Sequence, residues 1–207
     1  MKALELHAVE SGSGDAVVLA HAIGCDNRMW DSLAVALSPQ FRVIRVDVRG
    51  HGKSPVPKGP YSLEELAGDV VAVLDKLGIA RAHWVGLSMG GMIGQAFAID
   101  NPGRLHRLVL ANTTSSYGAE GPKIWDARMK AVNDGGMAAI ADLVMTRYFS
   151  DAFREAHPEG AGGVPGMGDA AARDGGDERS DRRADRSHAE PSHERERQRD
   201  IECRLAA

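Results

Sequence analysis

The sequence predicts an α/β protein: a mostly parallel sheet with helices on both faces. Three observations carry that prediction. Short apolar or alternating runs trade places with helix-period segments from Leu4 to Asn112. Capping and turn residues stand at the joints between them. The composition of a folded domain stops at about Phe153, ahead of a highly charged tail. Strands and helices in regular alternation argue for parallel pairing through crossover helices.

The elements follow in order. LELHAVE (4–10) alternates and reads as a strand, with SGSGD as the turn after it. VVLAHAI (17–23) is a short apolar run suited to a strand buried on both faces. Met29 to Leu37 has helical spacing and stops at Ser38-Pro39. FRVIRVDV (41–48) is a β-branched strand, and RGHGKSPVPKGP is the loop that leaves it. Ser62 and Glu65 form an S-x-x-E capping box ahead of Leu66, Val70, Val73, Leu74 and Leu77, and Gly78 closes that helix. AHWVGL (82–87) is a strand, Met89 to Ile99 a helix and LHRLVLAN (105–112) another strand. Pro122–Val132 and Met137–Phe149 read as two more helices, split by Asn133-Asp134-Gly135-Gly136, and no strand is predicted after them.

The 207 residues suffice for one domain with a real core. A hydrophobic share of 43% and a net charge of -4 argue against a nucleic-acid binder or a membrane protein. No apolar run reaches the roughly 20 residues of a spanning helix. The first residues, MKALELHAVESGSGD, lack the unbroken apolar core of a secretion signal. Cys25 and Cys203 make no disulfide framework, so a reduced, cytoplasmic protein is expected. From Asp169 to Asp200 more than half the residues are charged, with both signs mixed. Such a segment buries too little apolar surface to offset its chain entropy, so residues 158–207 are expected to be disordered.

VGLSMGGMIG (85–94) holds the candidate chemistry. It places G-x-S-x-G where a strand ends and a helix begins, the setting of a nucleophile elbow. Glycines at 86 and 90 are required if a Cβ there would strike the neighbouring strand and helix. The turn would lift the Ser88 Oγ above the sheet and set the N–H of Met89 near a developing oxyanion. Two roles are open on these residues, nucleophile or helix cap. The glycines on both sides and the preceding strand favour the nucleophile. A second oxyanion donor is expected from the loop after VVLAHAI, with the N–H of Ile23 as the candidate. His21 is read as packing beneath that loop, not as a base, and Cys25 as a small buried hydrophobe.

His21-Ala22-Ile23-Gly24, the D-x-R-G-H-G-x-S run at 47–54 and Gly86-Leu87-Ser88-Met89-Gly90-Gly91 together resemble the α/β-hydrolase family. Within it, KGPYSLEELAGDVVAVLDKLGI, LVLANT, IWDARMKAV and AAIADLVMTRYF are similar to 3-oxoadipate enol-lactonases. The resemblance covers residues 1 to about 157. It implies a hydrolase core at 1–117, cap helices at 118–157 and hydrolysis of a lactone or carboxylic ester in aromatic catabolism. Ser88 would be the catalytic residue, the Ile23 and Met89 amides the oxyanion hole and Trp125 a substrate-lining residue. A small-molecule lactone or ester is the partner implied, and no cofactor. His51 looks like a turn residue of the 47–54 loop.

In this family an acid and then a histidine follow later strands, in the order Ser, Asp, His. After the expected cap helices the sequence shows neither strand. His157, His188 and His193 stand in the charged tail, which offers no rigid support. The alternative expectation is therefore a catalytically impaired, truncated or frameshifted hydrolase remnant. The sharp change after about Glu159 predicts out-of-frame translation; coding DNA with no apolar strand, acid and histidine in either other frame would refute it. The strand at 105–112 is expected to be a raw sheet edge with uncovered faces.

Overall fold

A computed structural model describes residues 3–136 and 138–156. Five strands form one sheet, in the order β1-β3-β2-β4-β5: β1 Ala8–Ser11, β2 Asp15–Ala20, β3 Phe41–Val46, β4 Ala82–Leu87 and β5 Leu105–Ala111. β2 runs parallel to both β3 and β4, and β4 runs parallel to β5. Only β1 is antiparallel, against β3. The mostly parallel sheet expected from the alternation is thus present.

β1 starts four residues later than LELHAVE suggests. The amide of Leu4 donates to the Asp69 carboxylate (2.8 Å) and that of His7 to the Ser54 hydroxyl (2.8 Å). Side chains from distant segments take bonds that an alternating pattern assigns to a ladder. β2 is buried from Ala16 to Ala20, as a central parallel strand must be.

Helices cover both faces because neighbouring strand residues point opposite ways. Val18, Ala20, Ile44, Val46 and Trp84 pack with α2 (Leu63–Lys76) and α3 (Met89–Asp100) through Val70, Leu74, Ile93 and Phe97. Val17, Leu19 and Val43 face the other way, onto Trp30 and Ala34 of the first helical segment. That segment begins as a 3-10 turn (Asn27–Trp30) because Asp26 caps it through the Arg28 amide, and continues as α1 (Asp31–Leu37). The capping box opens α2: Glu65 donates its amide to the Ser62 hydroxyl (3.2 Å), and the Glu65 carboxylate accepts from the Ser62 amide (2.8 Å).

Among the described residues three α-helices follow β5: α4 Gly121–Gly135, α5 Ala138–Tyr148 and α6 Asp151–Ala156. α4 runs through Asn133 and Asp134, placed in a loop by the sequence reading, because the left-handed residue that ends it is Gly136 (φ 67°). α6 is not among the helices expected from the sequence. β5 lies at the sheet edge, with Val109 52% and Leu110 44% exposed. Being adjacent, those two side chains leave both faces of the strand uncovered. No described helix is long and apolar enough to cross a membrane. The expectation of disorder for 158–207 falls outside the described residues, as do His157, His188 and His193.

Candidate active site

The crossover from β2 to β3 goes to one side of β2 and that from β3 to β4 to the other. The chain order therefore reverses at β2, where a crevice opens beyond the carboxyl ends of the strands. Ala22 and Ile23 after β2, Ser88 after β4 and Asn112 to Thr114 after β5 all line a cavity of about 840 Å³ there.

Ser88 has φ 51° and ψ -114°. A non-glycine residue in that region carries strain of about 1–3 kcal/mol, so the surroundings must hold it. They do so through the backbone. The Ser88 amide donates to the Ala111 carbonyl (3.0 Å), while its carbonyl accepts from the amides of Gly91 (2.9 Å) and Met92 (3.1 Å) and from the Thr113 hydroxyl (2.7 Å). The glycines are needed for close approach: a Cβ on Gly86 would fall on the Gly90 backbone, and one on Gly90 on the Ala20 carbonyl. Ser88 stands at the N-cap of α3, yet its side chain makes no capping bond. The helix-cap role left open by the sequence is thus not taken up. The Oγ has no hydrogen-bond partner among the described residues.

Ile23 lines the cavity beside Ser88, whereas Met89 is not in its wall. The Met89 amide is the first of α3, directly after the serine. Neither amide donates to an acceptor among the described residues. Trp125 lines the cavity, edge-on to Tyr117 at 5.5 Å and covered by the Arg128 guanidinium at 5.1 Å from the ring centre.

Beneath the Ile23 loop, His21 is fully buried. Its Nε2 accepts from the Val48 amide (3.0 Å), so Nδ1 carries the proton and donates to the Ala22 carbonyl (2.8 Å). Both ring nitrogens hold backbone, as the reading of His21 as a loop support expects. Asp47, also fully buried, accepts from the Asn27 amide and side chain (2.7 and 2.8 Å) and the Lys53 amide (2.8 Å). The 47–54 loop is thereby fastened to the segment after β2. His51 packs on His21 at 5.1 Å, and burial holds its imidazole below the usual range. Burial, with Asp26 adding to it, pushes the Cys25 thiol up to about 12, which leaves it unionised at neutral pH.

Burial and the neighbouring His51 push the His21 imidazole down to about 4, from 6.5 in an open chain. The folded state therefore resists a proton that the unfolded chain accepts. Stability is complete above about pH 6.5 and falls as pH drops toward 4, by up to roughly 3 kcal/mol. We expect the melting temperature to fall across that window and His21→Gln to flatten the fall. An equally steep pH profile in the variant would remove His21 as its cause.

Tyr148, Arg128 and Arg147 are among the wall residues that no sequence motif singles out. The Tyr148 hydroxyl donates to the Ile23 carbonyl (3.2 Å) across 125 positions, and Val144, Tyr148 and Phe149 pack on Ala22 and Cys25. The i, i+3 spacing of Trp125 and Arg128 on one helix face was the legible signal for the arginine.

Known proteins share this fold. A protein named 3-oxoadipate enol-lactonase 2, from Acinetobacter baylyi, is 38% identical over 144 residues, 70% of this chain and 53% of that one. The enol-lactonase of Burkholderia xenovorans LB400 is 42% identical with a TM-score of 0.70, over 74% of this chain and 60% of that one. A thermophilic esterase of Thermogutta terrifontis is 30% identical with a TM-score of 0.71, over 81% and 65%. The chain spans about half the length of the curated relatives it matches. The family profile described as alpha/beta hydrolase fold matches residues 15–160. With that match over most of the chain, and a serine turn at the carboxyl ends of its parallel strands, the chain belongs to the alpha/beta hydrolase fold family.

Proposed function

We propose that this site cleaves a lactone or carboxylic ester by attack of the Ser88 Oγ on the acyl carbon. The observation that carries the reading is the strained turn at Ser88, which leaves its hydroxyl unbonded in the cavity wall. In the attack an Oγ–C bond forms, the Oγ–H bond gives up its proton to solvent water, and the carbonyl electron pair moves onto oxygen. The amides of Ile23 and Met89 receive that charge, and Trp125 lines the acyl pocket. Return of that electron pair breaks the bond to the leaving oxygen, which takes a proton from solvent water, and gives an acyl-serine that a second water hydrolyses to the acid and free Ser88. The resemblance at LANT and along α4 and α5, together with the enol-lactonase relatives, favours an enol-lactone of the 3-oxoadipate type.

A second reading has its own observation. The Ser88 hydroxyl proton has no acceptor among the described residues, and His21 has both nitrogens engaged. An elbow without a base binds acyl compounds but turns them over slowly. Residual catalysis from binding and an oxyanion hole can still be about 10³-fold over water.

A fluorophosphonate probe separates the two readings. The first expects one adduct, mapped to Ser88 by mass spectrometry and lost in Ser88→Ala, with lactone hydrolysis above buffer. The second expects no adduct and no turnover beyond the residual level.

A further inference from the structure

We propose that Tyr148 is a positioning residue for the loop after β2: its hydroxyl, carried by α5, fixes the Ile23–Gly24 peptide and keeps the Ile23 amide set for an oxyanion. This deepens the reading of Ser88 as the nucleophile and rests on it for the word oxyanion. Ala22 to Cys25 form one tight turn, closed by the Cys25 amide on the Ala22 carbonyl (3.1 Å). Gly24, the third residue of the turn, has φ 74°, and among the described non-glycine residues only Ser88 and Asn112 have positive φ. Ile23 is therefore ordinary backbone and the turn is type II. Two peptide planes meet at Ile23. The first, Ala22–Ile23, is pinned from the core, because its carbonyl accepts from the Cys25 amide and from His21 Nδ1 (2.8 Å). A trans peptide sends its N–H opposite to its C=O, so the Ile23 N–H points away from His21.

The second plane, Ile23–Gly24, is held at its carbonyl by the Tyr148 Oη (3.2 Å). Packing does not restrain it at the tip, where a Cβ built on Gly24 would meet nothing within 4 Å. Glycine accepts φ of either sign, so without the hydroxyl this plane is free to turn over and carry ψ of Ile23 with it. The bond also occupies a carbonyl oxygen of the cavity loop, whose lone pairs oppose negative charge gathering beside it. Tyr148 is brought there by apolar contact. Val144 and Tyr148 share one face of α5 and pack with Phe149 on Ala22 and Cys25. Phe149 in turn stacks on Phe153 of α6 at 4.7 Å, which braces the end of α5. Burial, and then the neighbouring Cys25, raise the Tyr148 phenol above its usual range, so it keeps the proton it donates. The seating of α5 thus sets the geometry of a loop that belongs to the sheet.

The test is Tyr148→Phe in the full chain, which keeps the ring in its packing and removes one donor. Amide hydrogen exchange of Cys25, whose bond closes the turn, should quicken about 3- to 10-fold, the range of a single hydrogen bond. The Gly91 amide, bonded to the Ser88 carbonyl, and the Leu77 amide, bonded to Val73, should exchange as before. Tyr117→Phe removes another hydroxyl of the cavity wall, one that meets the Met92 sulfur at 4.0 Å, and should leave Cys25 exchange unchanged. Fluorophosphonate labelling reads the consequence for Ser88. There an Oγ–P bond forms, fluoride leaves, the hydroxyl proton passes to water and the phosphoryl oxygen takes the oxyanion position. Tyr148→Phe should slow that step about 3- to 10-fold at an unchanged half-saturating probe concentration. Loss of an oxyanion donor outright costs about 10²–10³-fold. A merely loosened wall moves the half-saturating concentration instead and quickens Gly91 along with Cys25. Either of those results, unchanged Cys25 exchange, or an unchanged labelling step overturns the proposal. A parent chain that takes no label refutes the Ser88 reading instead, and Cys25 exchange then decides the tether by itself.

Discussion

Gly90→Ala is expected to be one of the two most damaging single substitutions in this domain. The added methyl would lie on the Ala20 carbonyl oxygen, 2.5 Å from the Ala20 carbonyl carbon and 2.9 Å from the His21 oxygen. These are backbone atoms of β2, the most buried strand, and of the residue just after it, so no side chain can turn away to make room. Either α3 lifts off β2 and the Ser88 turn with it, or the sheet opens. Overpacking against rigid backbone costs about 3 kcal/mol or more, a large share of a typical stability of roughly 5–15 kcal/mol. Thermal melts followed by circular dichroism should show a loss of about 6–12 °C for a domain of this size. Gly68→Ala in α2 is the control, since nothing lies within 4 Å of its added methyl. It should hold or raise the melting temperature, because alanine favours a helix by about 1 kcal/mol. Equal melting of Gly90→Ala and the parent would mean that α3 and β2 are not packed as closely as described.

Asp69→Ala should be comparably costly, for an electrostatic reason. Asp69, on α2, is fully buried. One oxygen accepts from Arg49 Nε (2.6 Å), the other from Arg49 Nη2 (2.8 Å) and from the Leu4 amide (2.8 Å). Arg49 is itself 6% exposed and stacks over Tyr61. Truncating the acid leaves a buried guanidinium without its counter-charge and orphans a backbone donor, at about 3–5 kcal/mol. Removing both charges avoids that penalty, so Arg49→Met combined with Asp69→Ala should recover much of the loss. Urea denaturation of the two single variants and the double variant measures this directly. A double variant as unstable as the sum of the singles would show that the pair is not coupled.

The legible parts of this protein share one property: their causes lie within a few residues. The capping box is written in Ser62 and Glu65, four positions that fold onto one another. The elbow is written in Gly86, Ser88 and Gly90, because side-chain bulk at either glycine meets backbone. β2 is an apolar run because a strand between two parallel neighbours has no wet face. The misses have the opposite cause. Residues 4–7 alternate like a strand, yet the amides of Leu4 and His7 go to Asp69 and Ser54, 65 and 47 positions away. α4 continues past Asn133 because Gly136 is the residue that turns left-handed.

The sequence by itself therefore determined the α/β alternation, the serine corner and the identity of its helix, since local sterics and hydrogen bonding suffice for each. Only the tertiary structure decided what surrounds that corner. It brought the Tyr148 hydroxyl to the Ile23 carbonyl, laid Arg128 over Trp125 and opened a cavity where the loops after β2, β4 and β5 meet α4 and α5. Those contacts join segments far apart in the chain. Their geometry comes from how apolar faces pack together, and no local pattern of residues encodes it.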